Sequence, residues 1–181
     1  MTDPHHETEV KIRIEPEAIP GLRKKADALG FRQTAAPKEE KNLLFDFPDG
    51  RLRESGTALR LRQYGDQCRL TFKGPRIDDP LLKIRLEEET AVGDFGTARR
   101  LLEQIGLQVS FRYDKTREKH LLESADGRVE LCIDQTPVGC FAEIEGSPEA
   151  IGSLAQAFGW SRGEFLNVNY VDLYAEQGLG G

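Results

Sequence analysis

Cysteine is scarce in this sequence: Cys68, Cys132 and Cys140 are the only three, an odd number with no Cys-x-x-Cys pair. That excludes a disulfide framework, offers no thiolate metal site, and leads us to expect a reducing, cytoplasmic setting. Long apolar runs are missing too. No stretch approaches the roughly 20 apolar residues of a membrane-spanning helix, and Met1 to His6 lacks the basic and apolar regions of a signal peptide. Excess positive charge is absent: 25 Lys and Arg stand against 31 Asp and Glu, a net charge of −6. A bulk attraction to nucleic acid or to an anionic membrane is therefore not expected, and any anion must be bound locally. Aromatic residues are few, at 8%, yet the apolar residues fall in periodic runs, as in a folded globular chain. The length suits one domain over 1–181 with an ordered core from about 5 to 176, able to bury a core without staples. His5-His6 reads as a solvated or tag-like terminus.

What is present is a repeated alternation of charge and grease. In Glu7-Thr8-Glu9-Val10-Lys11, continued by Ile12-Arg13-Ile14, the period of two puts Glu7, Glu9, Lys11 and Arg13 on one strand face and Val10, Ile12 and Ile14 on the other. The pattern returns at Arg85-Leu86-Glu87-Glu88-Glu89 and at Phe141-Ala142-Glu143-Ile144-Glu145, each with a Glu-x-Glu pair on one face.

Helices are expected over Pro16–Gly30, over Asp94–Gly106 with Phe95, Ala98, Leu101, Leu102 and Ile105 on its apolar side, and from Ser147-Pro148-Glu149 to Phe158-Gly159. They end Leu29-Gly30-Phe31, Ile105-Gly106-Leu107 and Phe158-Gly159-Trp160, a glycine stop with an apolar residue behind it. Each follows a strand bearing Glu-x-Glu, which suggests a weak internal repeat. Between them Pro37–Lys41 reads as a polar connection, Asn42–Phe47 as a short strand, Gly65-Asp66 as a hairpin turn and Gly74–Pro80 as a polar loop. Further strands are expected at Thr57–Gln63, Arg69–Lys73, Leu82–Thr90, Val109–Glu118, Val129–Asp134 and Cys140–Glu145, with a turn at Asp126-Gly127. Asn167–Tyr174 ends the ordered part and Gly178–Gly181 is expected to be disordered.

The strand faces together collect Glu7, Glu9, Lys11, Arg60, Arg62, Lys73, Arg85, Glu87, Glu89, Lys115, Arg117, Asp134, Glu143 and Glu145 on one surface. Helices must bury their stripes on the opposite, apolar faces, which leaves the charged surface inside a wet channel or on an open sheet. A dry core cannot hold so many ions, since each unpaired buried charge costs on the order of several kcal/mol. Two uses of that surface stay open. Arginines and lysines beside paired carboxylates suit a metal–phosphate site, because guanidinium groups grip phosphate and carboxylates hold the divalent cation that bridges to it. A solvated face laced with cross-strand salt bridges would show the same pattern.

The Glu7-Thr8-Glu9-Val10-Lys11 segment resembles the Glu-x-Glu-x-Lys signature of the CYTH superfamily, the triphosphate tunnel metalloenzymes that include class IV adenylate cyclases and thiamine triphosphatases. The rest follows in order: Phe45-Asp46-Phe47-Pro48-Asp49-Gly50-Arg51-Leu52, Ala58-Leu59-Arg60-Leu61-Arg62, Thr71-Phe72-Lys73-Gly74-Pro75, Arg85 to Glu89, Lys115-Thr116-Arg117 and Phe141 to Glu145. The resemblance covers Glu7 to about Tyr174. It implies an α+β fold, a closed antiparallel eight-stranded β-barrel or tunnel with a charged interior and helices packed outside. It implies Mg²⁺ or Mn²⁺ held by Glu7, Glu9, Glu143 and Glu145, with Glu87 as a further metal ligand, and a triphosphate held by Arg60, Arg62, Lys73, Arg85, Lys115 and Arg117. Glu87, Glu89 and Asp134 would bind a second metal, position the nucleophile or orient the cations. Lys11 would steer substrate or tune Glu9. The loops Lys73-Gly74-Pro75 and Val138-Gly139-Cys140-Phe141 are similar to the cyclase-like branch, so conversion of ATP to cyclic AMP and pyrophosphate is the first expectation. Hydrolysis of inorganic tripolyphosphate, thiamine triphosphate or a nucleoside triphosphate is the second, and a non-catalytic polyphosphate- or nucleotide-binding module the third. Members often carry Tyr-Phe-Asp-Thr where this chain has Leu44-Phe45-Asp46-Phe47, losing two hydroxyls. A homodimer is expected by the same analogy.

Overall fold

A computed structural model describes residues 6–124 and 127–179. His5, Asp126 and Gly180–Gly181, on which parts of three sequence expectations fall, lie outside the described residues. Eight long strands follow the chain as β1 (His6–Ile14), β2 (Arg32–Asp46), β3 (Ala58–Tyr64), β4 (Gln67–Ile77), β5 (Lys83–Val92), β6 (Gln108–Ser124), β7 (Gly127–Thr136) and β8 (Gly139–Glu145). They hydrogen-bond in the order β5-β4-β3-β2-β6-β7-β8-β1, and β5 pairs with β1 to close the ring. Every pairing is antiparallel. The result is a closed eight-stranded barrel, which leaves no long sheet edge exposed. The seam is shared: β5 covers β1 at His6 to Glu9, and the two-residue β9 (Phe165–Leu166) takes over at Lys11 and Ile12.

The helices α1 (Ile19–Ala28), α2 (Arg51–Glu54), α3 (Phe95–Gln104), α4 (Pro148–Phe158) and α5 (Tyr170–Glu176) lie against this barrel. Val10, Ile12 and Ile144 pack beneath Leu22 and Ala26 of α1 and Ile151 of α4, each less than a tenth exposed. A side chain of that size, fully buried, contributes about 1.5–3 kcal/mol, so the apolar faces of β1, β7 and β8 fix which way the barrel wall turns. The charged faces must then point inward. Expected glycine stops are present: Gly30, Gly106 and Gly159 all adopt positive φ, and the amides of Phe31, Leu107 and Trp160 reach back to the carbonyls of Ala26, Leu102 and Ala155. Ser147 caps α4 by accepting from the Ala150 amide, as its sequence indicated.

Several boundaries differ from those expected. Pro37–Lys41 is part of β2, because that strand pairs with β6 along its length, and the missing Pro37 N–H falls in a register irregularity between Ala35 and Lys38. Gly74, Pro75 and Arg76 likewise belong to β4, around a bulge between Lys73 and Arg76. His120–Glu123 extends β6. Asp46 holds α2 by accepting from the amides of Leu52 and Arg53. On α3 only Leu102 is buried; Leu101 is 63% and Ile105 69% exposed, because the barrel contacts a narrower stripe than the apolar pattern offers.

Candidate active site

The barrel encloses a cavity of about 990 Å³. Its lining contains twelve Lys and Arg against nine Asp and Glu, an excess of three positive charges in a chain whose net charge is −6. Of the residues expected to share the inner surface, all but Asp134 reach this cavity. Two walls of opposite character face each other.

The acidic wall comes from β1, β5, β7 and β8. Glu145 on β8 lies directly across from Glu9 on β1 and from Glu130 on β7, so carboxylates oppose carboxylates along the ladder. Like charges in that position destabilise a sheet. The consequence appears in their acidities: burial, then the neighbouring Glu145 and Glu87, pushes Glu7 up to about 8. Burial, then Glu130, Glu9 and Glu87, pushes Glu145 up to about 7. Glu9 goes the other way. Burial alone would raise it, but Lys83, whose Nζ donates to Oε1 at 2.9 Å, helps bring it down to about 2.

On the basic side, β3 and β6 supply cations most of which are already answered. Asp134, fully buried behind the wall, accepts from Lys115 Nζ at 2.8 Å and from Arg117 Nε and Nη2 at 2.6 and 2.5 Å. Arg117 also donates to Glu143, and Lys11 lies 3.3 Å from the same carboxylate. Glu40, also fully buried, sits 3.5 Å from Lys115 and 3.8 Å from Arg62. Burial would raise its pKa, but Lys115, Arg117 and Arg62 hold it well below the carboxylate range. Glu89 binds Arg62 at 2.9 Å, Arg69 at 3.1 Å and the Thr71 hydroxyl at 2.7 Å, while Lys73 donates to Glu87. Two cations keep charge in reserve. Arg60 has a buried Nε with no hydrogen-bond partner among the described residues. Arg85 spends its donors on the carbonyls of Gly56, Lys73 and Gly74, which fix the guanidinium without neutralising it.

α5 lies across one end of the cavity, with Asn169, Tyr170 and Val171 in the lining. Lys11, 1% exposed, has its Nζ 3.5 Å from the centre of the Tyr170 ring and 3.3 Å from the Val168 carbonyl. Burial outweighs the Glu143 carboxylate and brings Lys11 down to about 8. Desolvated cation–π contacts of this kind contribute about 2 kcal/mol. Burial, together with Asp134, holds the Tyr170 phenol well above its ordinary pKa, so it remains a donor, at 2.5 Å from Asp134 Oδ2.

The expected residues Glu7, Glu9, Glu87 and Glu145 are brought together on one wall. Glu143 shares β8 with Glu145 but is engaged by Lys11 and Arg117. Asp134 touches cations and not the cavity, and Lys11 packs on Tyr170 and Glu143. Sequence reasoning missed Glu40, hidden by the polar-connection reading of its segment. It missed Lys83, although the alternation Lys83-x-Arg85-x-Glu87 places it on the same face. Tyr170 arrives from a helix, so strand periodicity carries no signal for it. Among the described residues no three His, Cys, Asp or Glu side chains converge into a ready-made cage for a metal ion. The donor chemistry nonetheless fits a hard divalent cation: Lys83 answers Glu9 and Lys73 answers Glu87, but Glu7 and Glu145 crowd against neighbouring carboxylates and are pushed toward protonation.

The family model for the CYTH domain matches residues 5–171. A curated relative from Methanocaldococcus jannaschii, named as a candidate adenylate cyclase, is 26% identical over 179 residues, covering 92% of this chain and 97% of its own. Among solved structures, a Vibrio parahaemolyticus protein also named as a candidate adenylate cyclase superimposes with TM-score 0.82 at 20% identity, covering 96% and 99% of the two chains. A Hippeastrum protein, named as a candidate adenylyl cyclase and described as having a dominant triphosphatase activity, superimposes with TM-score 0.67 at 22% identity, covering 94% and 96%. Among the described residues no helix is long and apolar enough to cross a membrane.

Proposed function

The chain belongs to the CYTH domain family, and on that premise we propose that it is a divalent-cation-dependent enzyme acting on a triphosphate, converting ATP to cyclic AMP and pyrophosphate. The observation that carries the reading is the division of one cavity into a wall of mutually repelling carboxylates and a wall of fixed cations. Glu7, Glu9 and Glu145, with Glu87 beside them, would hold Mg²⁺ or Mn²⁺. Bound there, the ion neutralises charge on phosphate oxygens and lowers the barrier to attack at phosphorus. Arg60, Arg62, Lys73, Arg85, Lys115 and Arg117 would bind and orient the phosphates, held in place before substrate arrives by Glu40, Glu87, Glu89, Asp134 and backbone carbonyls. In cyclisation the ribose 3′-oxygen bonds to the α-phosphorus, the bond from that phosphorus to the β-bridging oxygen breaks, pyrophosphate leaves, and the hydroxyl proton passes to a base.

A second reading is hydrolysis, with water as the nucleophile. It is favoured by the engaged state of the aromatic lining: Tyr113 and Tyr170 stack on each other and Tyr170 carries two lysines, which leaves those rings occupied where a purine would need a platform. Purified protein with Mg²⁺ or Mn²⁺ and, in turn, ATP, thiamine triphosphate and inorganic tripolyphosphate decides between them. Cyclic AMP supports the first reading and phosphate release the second. Binding without product would identify a sequestering module and overturn both.

A further inference from the structure

We propose that Tyr170, on the last helix, is a positioning residue that sets the geometry of Lys11, Lys115 and Arg117 at once, so that α5 is part of the phosphate-binding wall. The inference deepens the triphosphate reading and rests on it for the identity of the ligand, though not for the contacts themselves. Two ammonium groups lie over the Tyr170 ring, Lys11 Nζ 3.5 Å and Lys115 Nζ 4.3 Å from the ring centre. Like charges repel, and one electron-rich ring attracts both. The hydroxyl of the same residue donates to Asp134 at 2.5 Å, and Asp134 is the carboxylate that grips Lys115 and Arg117.

The ring itself is held on all sides. Tyr113 stacks on it with centroids 5.7 Å apart, and Phe141 meets it edge-on at 5.6 Å. α5 in turn is fastened to the barrel: Asn169 caps it by accepting from the Asp172 amide, the Tyr174 hydroxyl donates to the Asp114 carbonyl, and Lys11 donates to the Val168 carbonyl just ahead of it. A side chain whose ring and hydroxyl are both fixed transmits that fixity to every cation it touches. Asp134 alone cannot do this for Lys11, which meets Glu143, the Val168 carbonyl and the rings of Tyr170 and Phe141.

Three variants and two readouts test this. Tyr170→Leu removes ring and hydroxyl, Tyr170→Phe keeps the ring, and Leu173→Ala removes a buried neighbour from the same aromatic cluster that does not line the cavity. The first readout needs no substrate: acylation of each lysine by a water-soluble reagent, mapped by mass spectrometry. Lys11 and Lys115 should label at least tenfold faster in Tyr170→Leu than in wild type, stay protected in Tyr170→Phe, and stay protected in Leu173→Ala. The second is affinity for inorganic tripolyphosphate in chelator, expected to fall at least tenfold in Tyr170→Leu, about three- to tenfold in Tyr170→Phe, whose Asp134 has lost the phenol donor, and less than threefold in Leu173→Ala. Unchanged labelling in Tyr170→Leu, or equal labelling in Leu173→Ala, would show Tyr170 to be packing alone and overturn the inference. Wild-type protein that binds tripolyphosphate neither in chelator nor with added Mg²⁺ or Mn²⁺, while labelling follows the expected pattern, would instead overturn the triphosphate reading and leave the positioning role standing.

Discussion

The two walls of the cavity carry opposite charge, and they differ in how far that charge is answered. Lys115 and Arg117 on the basic wall share the buried carboxylate of Asp134, with Glu40 and Glu143 close by. On the acidic wall Glu145 faces Glu9 and Glu130, and both Glu7 and Glu145 are driven toward protonation. Folding largely completes the basic wall, with Arg60 and Arg85 left in reserve, whereas Glu7 and Glu145 on the acidic wall would be completed by an entering cation. On the proposed reading that asymmetry distinguishes a phosphate site with a metal from a face of ordinary salt bridges, in which each charge would be matched by its neighbour.

The largest expected effect tests the finished wall. Asp134→Ala strips the shared partner from two buried cations, and removing one member of such a network costs about 3–5 kcal/mol. Chemical denaturation should show a loss of that size; a loss below about 1 kcal/mol would mean the basic wall does not depend on its buried carboxylate. Next comes the unfinished wall. Glu9→Ala should lower metal-dependent turnover by roughly 100-fold, about 2.7 kcal/mol of transition-state stabilisation, with the fold retained. Near-wild-type turnover would remove Glu9 from the metal site.

The pH dependence sharpens the same contrast and is smaller. Glu7 and Glu145, raised from 4.5 to about 8 and about 7, bind protons in the folded chain that the unfolded chain has released. Stability of the metal-free protein should therefore fall as pH rises from about 4.5 to about 8, by roughly 1 kcal/mol or more after screening. Saturating Mn²⁺ should remove that slope, since the cation replaces the protons. A flat metal-free profile of thermal midpoint against pH over this window would contradict the assignment. The smallest effect lies outside the cavity: Leu101→Lys and Ile105→Lys replace exposed side chains and should change stability by no more than about 0.5 kcal/mol, measured by denaturation.

Much of this molecule is legible from residue order, and the parts that are not have identifiable causes. The inward faces of β1, β3, β5 and β8 follow from period-two alternation, and the three helix stops follow from glycine's tolerance of positive φ. Adjacency was the harder part: β1 lies between β5 and β8, so the three Glu-x-Glu strands are neighbours although Glu87 and Glu143 lie far along the chain from Glu7. The resemblance supplied the closed barrel that periodicity left undecided. Pro37 and Gly74 misled because bulges let breakers sit inside long strands. Tyr170 and the depth of Asp134 are tertiary facts; nothing local in Asn169-Tyr170-Val171 or Ile133-Asp134-Gln135 tells a residue that lines the cavity from one that lies behind its wall.

The central claim is that a divalent cation on the acidic wall and a triphosphate on the basic wall occupy one cavity together. Phosphorus-31 relaxation of bound inorganic tripolyphosphate with added Mn²⁺ tests it most directly, because broadening by a paramagnetic ion falls steeply with its distance from the nucleus. Wild type should show strong broadening that Glu9→Ala and Glu145→Ala abolish while tripolyphosphate stays bound. Equal broadening in all three proteins, or none in wild type, would contradict the account.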